Sequence, residues 1–146
     1  MTRVVLALVL VTSAGCPGVL KPLEKPTAEF QGLAVLGVGF TGLDARAAFV
    51  LTNPNSVGLP LRAVDWELSI GGASPVRGRV DFSATIPARG SAPIDVDIRV
   101  SSGAAVEMAS RLSSGATDYR VSGTMHFQTS LGDIAVVFDH SGAIRR

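Results

Sequence analysis

Strict alternation of apolar and polar side chains runs through four separate stretches of the chain. In one stretch, four apolar residues alternate with three polar ones between Val64 and Ile70, and the other stretches span residues 76–86, 94–100 and 119–127. Because successive side chains of a strand point to opposite faces, each stretch predicts a strand with one buried and one solvated face. Three weaker patterns predict further strands at residues 33–40, 46–53 and 134–139.

One stretch departs from this period of two. Residues 105, 108, 109 and 112 are apolar at helical spacing, with Ser102 as a candidate N-cap and Gly115 as a stop. We expect a helix over about residues 103–113 with Glu107 and Arg111 paired on its solvated side. Turn-forming residues separate the predicted strands. The pattern therefore predicts an all-β fold, a seven-stranded antiparallel immunoglobulin or fibronectin-III-like β-sandwich with one short helix between strands five and six.

The N-terminal segment has the layout of an export signal. Arg3 precedes an unbroken apolar run over residues 4–11, and small residues follow up to Cys16. The run is too short for a membrane span, which needs roughly 20 apolar residues. Ala14-Gly15-Cys16 resembles the lipobox of bacterial lipoproteins, although Ser13 stands where that family usually has leucine. The resemblance implies cleavage before Cys16 and attachment of lipid to its sulfur.

We therefore expect a signal peptide at residues 1–15, a lipidated Cys16 with a proline-rich tether at residues 16–31, and one β-sandwich domain at residues 32–146. The expected location is the bacterial cell envelope, with the domain facing the periplasm or the outside of the plasma membrane and the membrane as a partner through Cys16. Two alternatives remain open: cleavage after Ala14 by an ordinary signal peptidase, and an unmodified thiol at Cys16.

Composition excludes several functional classes. The chain has 13 Lys and Arg against 12 Asp and Glu, a net charge of +1, so it lacks the basic excess of a nucleic-acid-binding protein. Aromatic residues make up 5% of the chain, which leaves few rings for stacking on bases or sugars. With 2 His and 1 Cys, a multi-ligand metal site is not expected either. We expect no cofactor, no nucleic-acid partner and no small-molecule substrate.

The titratable residues do not form a recognisable catalytic motif. His126 and His140 are the candidate bases, but no nucleophile motif accompanies them, and we interpret both as solvated. Asp95 and Asp97 share one strand face, and a second acidic pair faces two arginines of the next predicted strand. The second acidic pair and the two arginines that it faces are Asp65, Glu67, Arg77 and Arg79. Cross-strand ion pairs explain both placements better than a calcium site does. We predict that the protein is not an enzyme.

Apolar residues outside the alternating pattern are candidates for contact with a membrane or a client protein. They are Phe40 and the loop at residues 57–61, although packing of that loop onto the core is the favoured interpretation. Trp66 alternates with core positions and is interpreted as a buried anchor.

The order of several short motifs resembles the WHy domain of group 2 late embryogenesis abundant proteins. The motifs are Phe49-Val50-Leu51-Thr52-Asn53-Pro54-Asn55, Leu59-Pro60-Leu61, a following strand that contains Trp66, and Ile86-Pro87-Ala88-Arg89-Gly90-Ser91. The resemblance covers about residues 30–146. It implies a folded β-sandwich in which Asn53, Pro54 and Asn55 form a structural turn. The family defines no catalytic residues.

The resemblance also implies a function. We expect a non-enzymatic envelope lipoprotein with a WHy-like domain that protects unfolding client proteins or membranes during desiccation or other stress. The alternative is a structural or assembly lipoprotein that binds a protein partner in the cell envelope, because this fold serves both roles. A hydrolase or carbohydrate-binding module is disfavoured by the small number of aromatic residues.

Overall fold

The structure, a computed structural model, describes residues 21–144. The stretches of alternating apolar and polar residues form seven strands, and the stretch with helical spacing forms one helix. The elements are β1 (Thr27–Gly39), β2 (Gly42–Thr52), β3 (Leu59–Ile70), β4 (Val76–Ile86), β5 (Ser91–Ser101), α1 (Ser102–Ser113), β6 (Asp118–Thr129) and β7 (Gly132–Ala143). None of the helical segments in this part of the chain is long and apolar enough to cross a bilayer.

The strands form two antiparallel sheets. One has three strands in the order β1-β2-β5, and the other has four in the order β4-β3-β6-β7. The alternation of each strand buries one face between the sheets, where Phe49, Phe127 and Met125 are at most 1% exposed. The predicted seven-stranded antiparallel sandwich is confirmed, as is the helix between the fifth and sixth strands.

The four-stranded sheet contains a tightly packed row of residues at its centre. Gly78, Trp66, Gly123 and Phe138 lie side by side in register across β4, β3, β6 and β7. A Cβ atom added at Gly123 would lie 1.9 Å from the backbone oxygen of Asp65 and 2.7 Å from the Phe138 ring. Trp66 is 5% exposed, which confirms it as a buried anchor. Its buried indole N–H has no hydrogen-bond partner in the described part of the chain.

The first and last strands are longer than the sequence predicts. β1 begins at Thr27 rather than at residue 33, so residues 27–30, expected in the tether, pair with β2. The reason is that Pro26 ends the proline-rich segment and Phe30 then packs edge-on against Phe49 with ring centroids 5.3 Å apart. β7 continues past Asp139 to Ala143, which places His140 inside the strand.

The helix matches its prediction closely. Ala105 and Met108 are buried, and Arg111 lies 3.8 Å from Glu107 on the solvated side. The expected cap at Ser102 is wrong, because the chain passes from β5 directly into α1 and Ser101 occupies the N-cap position without a side-chain capping bond. Gly115 has a φ of 99° and donates to the carbonyl of Leu112, as a residue that ends a helix does.

Candidate functional site

The expected lipidation site, Cys16, and the signal segment of residues 1–15 lie outside the described residues. The described chain starts at Lys21, and residues 21–26 form an entry segment that leads into β1. Two buried asparagines, Asn53 and Asn55, hold this segment and the turns around it in place. We call these two side chains and their hydrogen bonds the asparagine staple.

Asn53 follows β2 and is 1% exposed. Its amide Nδ2 donates to the carbonyl of Val57 at 2.8 Å and to the carbonyls of Ile86 and Pro87 at 3.2 Å. Its Oδ1 accepts the backbone N–H of Asn55 at 2.9 Å, which closes a local turn. One side chain therefore joins the β2–β3 connection to the turn between β4 and β5.

Asn55 connects this turn to the entry segment. Its Nδ2 donates to the carbonyl of Glu24 and its Oδ1 accepts the N–H of Glu24, both at 2.8 Å. The same Nδ2 donates to Asn53 Oδ1 at 3.0 Å. The side-chain amide thus pairs with the backbone of Glu24 as a neighbouring strand would. Pro54, between the two asparagines, has no N–H to donate and a fixed φ, as suits a turn.

The outward side chains of the four-stranded sheet form a second candidate site, which we call the charged face. Arg79 donates to Asp65 at 3.1 Å, and Arg77 donates to Glu67. These contacts confirm the predicted cross-strand ion pairs. Further along the sheet, Arg120 forms two parallel bonds to Asp139 at 2.9 and 2.6 Å, and these lower the pKa of Asp139.

The three-stranded sheet pairs its charges in the same way. Arg46 donates to Asp97 at 2.7 Å, and Arg99 donates to Asp44 at 2.8 Å. The ion-pair interpretation of Asp97 is therefore confirmed. Nowhere in residues 21–144 do three or more His, Cys, Asp or Glu side chains cluster as metal ligands would.

His126 belongs to the charged face. Its Nε2 lies 2.7 Å from Asp65 Oδ2, and its side chain is 41% exposed. The hydrogen bond to His126, aided by the nearby Arg79, lowers the pKa of Asp65 below its usual range. His126 lies partly exposed on the solvated face, as interpreted, and in addition bonds Asp65, a partner 61 residues away that the sequence pattern did not predict. None of the described hydrogen bonds joins His126 to a serine, threonine or cysteine.

His140 also has specific neighbours. Its ring stacks on Phe30 with centroids 4.7 Å apart and planes 10° from parallel. The ring therefore closes the side of the sandwich between β1 and β7, and its interpretation as solvated is corrected.

A groove of about 510 Å³ crosses the charged face. Its lining comes from β3, β4 and β6: Asp65, Trp66, Glu67, Arg77, Gly78, Arg79, Ser122, Gly123 and Thr124. Both carboxylates in this lining already bind an arginine of the lining. A ligand in the groove would have to break these pairs, so the geometry favours a hydrated, self-compensated surface over a binding pocket.

Exposed apolar side chains gather on the hairpin of β1 and β2. Phe40, in the turn, is fully exposed, and Leu36 and Val38 are 57% and 50% exposed. We call these three residues the apolar tip. The hairpin register runs from Gly39 opposite Gly42 to Thr27 opposite Thr52, so the apolar tip and the asparagine staple lie at opposite ends of the sandwich. In the other candidate segment, residues 57–61, Leu59 and Leu61 are fully buried at the start of β3, and Val57 before them is 46% exposed.

Comparison with known proteins identifies the family. The family model described as late embryogenesis abundant protein, LEA_2, matches residues 49–142, which include the staple, the charged face and α1. The chain belongs to this LEA family. No curated protein matches the chain.

Solved structures show the same fold as this LEA-family chain. A solution structure of an Arabidopsis thaliana protein superposes with a TM-score of 0.69 at 15% identity, covering 93% of this chain and 91% of that one. The solution structure of a protein described as late embryogenesis abundant gives 0.61 at 21% identity, covering 82% and 70%. A crystal structure of an Archaeoglobus fulgidus protein gives 0.58 at 14% identity, covering 83% and 94%.

Proposed function

We propose that this LEA-family chain is a non-enzymatic lipoprotein of the bacterial envelope that protects proteins or membranes during desiccation or other stress. The observation that supports the proposal most strongly is the LEA_2 match over residues 49–142. In the described residues, His126 hydrogen-bonds Asp65, and no hydrogen bond is found between His126 and a serine, threonine or cysteine. A protective role needs no reaction centre.

The surface suits a protein that stays folded and hydrated beside its clients. Ion pairs link neighbouring strands on both sheets. Each exposed pair adds little stability, usually under about 1 kcal/mol. Their collective effect is to keep charge on the surface without a strong net field, so the protein separates unfolding molecules without binding them tightly.

The entry segment sets how an anchored domain would be oriented. Asn55 fixes Glu24 at the staple end of the sandwich. Lys21 is the fifth residue after Cys16, and an extended chain of five residue steps spans at most about 17 Å. An anchor at Cys16 therefore keeps the staple end near the bilayer, and the apolar tip points away from it.

Recovery of a drying-sensitive enzyme tests the protective role. The enzyme is dried and rehydrated with the chain, and with an unrelated neutral β-sandwich protein at equal mass, because any added protein separates molecules to some extent. We expect clearly higher recovered activity with this chain. Equal recovery in the two samples would contradict protection of soluble proteins.

Labelling of Cys16 tests the anchor separately. In a bacterial host fed radiolabelled palmitate, the wild-type chain should take up label and sediment with membranes, and Cys16→Ser should do neither. Ser13→Leu, which restores the residue usual in a lipobox, serves as the matched control and should be labelled at least as well. An unlabelled wild-type chain, or one cleaved after Ala14, would contradict lipid anchoring while leaving the protective role open.

The apolar tip favours one alternative, an accessory lipoprotein that binds a protein partner in the envelope. Phe40 is fully exposed at the end of the domain far from the entry segment, where a partner could reach it. If this alternative holds, the wild-type chain should co-purify with a partner protein in a fixed ratio, and the Phe40→Ser variant should purify without that partner. Purification of the chain alone from gently solubilised membranes would contradict it.

A further inference from the structure

Each sheet of the sandwich leaves two strand edges, and three of the four have features that discourage pairing with another strand. β1 has register shifts between Phe30 and Gly32 and between Val35 and Gly37. β5 contains Pro93, which has no N–H to donate. β4 has a register shift opposite Leu61 and Ala63 and is lined by outward Arg and Asp side chains.

β7 has no register shift and no proline, and its exposed charged side chains are the two aspartates Asp133 and Asp139. Its twelve residues pair with β6 without a register shift, from Gly132 opposite Thr129 to Ala143 opposite Asp118. It contains no proline, lysine or arginine. In the described chain β6 is the only strand that hydrogen-bonds to β7, so the other edge of β7 is open to a further strand beyond its first residues, where Lys21, Pro22 and Leu23 line a cavity together with residues 131–134. Val137, near the middle of its outer face, is 76% exposed, the largest value for any valine in residues 21–144.

We propose that β7 pairs antiparallel with β7 of a second copy of this chain, joining the two four-stranded sheets into one continuous sheet. Such self-pairing has two-fold symmetry, so the same residues meet on both copies. The core-facing sides of the two β7 strands must lie on the same side of the joined sheet. A core-facing residue of one copy can therefore lie opposite only a core-facing residue of the other, and an outward residue opposite only an outward one.

The charges and apolar residues of β7 select one register. With Val137 on the two-fold axis, Val137 meets its own copy, Ala135 meets Asp139, and Asp133 meets Ser141. This register covers the exposed valines with each other and sets no two carboxylates directly opposite. A register shifted to place Val136 on the axis would set Asp133 opposite Asp139 twice, and like charges directly opposite are destabilising.

Oligomeric state tests the proposal. The experiment uses the full chain with Cys16→Ser, in a mild detergent that shields the N-terminal apolar segment. Sedimentation should show a dimer for this chain and a monomer for Val137→Lys, which places two ammonium groups on the axis. Val106→Lys, a similarly exposed valine of α1, is the matched control and should stay dimeric. A parent chain that stays monomeric up to about 100 µM, or a Val137→Lys dimer, would overturn the proposal.

Disulfide formation tests the register without depending on a charged substitution. In the same Cys16→Ser chain, Val137→Cys should form an intermolecular disulfide on mild oxidation, because residues opposite each other on an axis lie about 4.5 to 5.5 Å apart. Ala135→Cys should not, because its own copy lies four residues away along the partner strand, or about 13 Å. Equal cross-linking of the two variants would overturn the register, and no cross-linking of either would overturn the pairing.

Discussion

Asn53 shows how much of this fold depends on single polar residues. Its buried amide meets three carbonyl oxygens of two different turns. A donor or acceptor that loses its partner inside a protein costs about 1 to 3 kcal/mol. When the Asn53 amide and these carbonyl oxygens are hydrogen-bonded, they fix one arrangement of the two turns. An apolar side chain of similar size could not do this.

Asn53→Ala should therefore lower the free energy of unfolding by about 2 to 3 kcal/mol, because several buried carbonyls lose their donor at once. Thr52→Ala is the neighbouring control. The Thr52 hydroxyl bonds only the exposed hydroxyl of Ser91, and its loss should cost less than about 1 kcal/mol. Urea unfolding of both variants measures the difference. Equal losses would mean that the staple adds no more than a surface hydrogen bond.

Asp65 predicts a contribution to stability that depends on pH. Its folded-state pKa lies below its unfolded value, which is about 3.9 for an aspartate. Its ionised form therefore stabilises the fold above pH 4, and this contribution is lost as the pH falls through the folded-state pKa. The contact is solvent-exposed, so the effect is small.

Asp65→Asn should lower the urea midpoint at pH 7, and its deficit relative to wild type should shrink as the pH falls below 4. Asp95→Asn is the control on the other sheet: within residues 21–144 the Asp95 carboxylate forms no salt bridge, and its charge acts only as a minor cause of the raised pKa of Arg46. A deficit for Asp65→Asn that stays constant down to pH 2 would contradict the assigned interaction with His126 and Arg79.

At the residue scale, the sequence predicted which side chains face the solvent and which face the core, but not which side chains contact one another. The alternation placed Asp65 and His126 on solvated faces, which is where they lie. It could not show that the two meet, because the contact needs β3 and β6 to be neighbours, and that depends on the whole topology. The staple was missed for the same reason: Asn55 and Glu24 are 31 residues apart.

At the element scale, packing between strands sets both spacing and length. Gly123 allows β6 to approach β3 so closely that the backbone oxygen of Asp65 occupies the place of a side chain. The Phe138 ring covers the remaining space on the neighbouring strand. Glycine at this position is a requirement of the four-stranded sheet rather than a flexible site.

Gly123→Ala should therefore destabilise the fold by about 1 to 3 kcal/mol, because backbone on a central strand has to move. Gly103→Ala is the matched control, since an added Cβ atom there meets nothing within 4 Å. Alanine in a helix is favoured over glycine by about 0.5 to 1 kcal/mol, so that variant should be as stable as wild type or slightly more stable. Thermal unfolding midpoints of the Gly123→Ala and Gly103→Ala variants measure the difference. Similar midpoints for the two variants would argue against the close approach of β6 to β3 at Gly123.

The entry segment is an element whose attachment can be tested by proteolysis. Glu24 is attached by two hydrogen bonds to Asn55, and Lys21 and Lys25 flank it. Asn55→Ala should release the segment, so a glutamate-specific protease should cut after Glu24 faster than in wild type, whereas trypsin cannot be used because a proline follows both Lys21 and Lys25. Gly103→Ala should be cut at the wild-type rate. Unchanged cleavage in Asn55→Ala would mean that other contacts hold the segment.

The limits of the strands show what local patterns lack. Residues 76–86 alternate cleanly and β4 has the predicted ends. The sequence placed the start of β1 too late for two reasons. The prolines up to Pro26 made the whole segment look like a tether, and Phe30 finds its partners, Phe49 and His140, only in the folded sandwich. Where long-range packing decides the end of an element, the local sequence does not contain the signal.

At the scale of the whole molecule, the fold class and the element order followed from periodicity, turn residues and one helical interruption. The division of seven strands into sheets of three and four did not, since alternation reports which face is buried and not which strand is adjacent. The assignment to the LEA family supports a stress-related protein, and the matched residues 49–142 all lie within the part of the chain that folds as the sandwich.

The most direct test compares protection by folded and unfolded forms of the same chain. Wild type and Asn53→Ala are incubated at a temperature at which only the variant is unfolded, and each is dried with a labile enzyme at equal mass. We predict that the folded wild type preserves more enzyme activity on rehydration than the unfolded variant does. Equal or better protection by the unfolded variant would contradict the claim that the folded β-sandwich is the protective form.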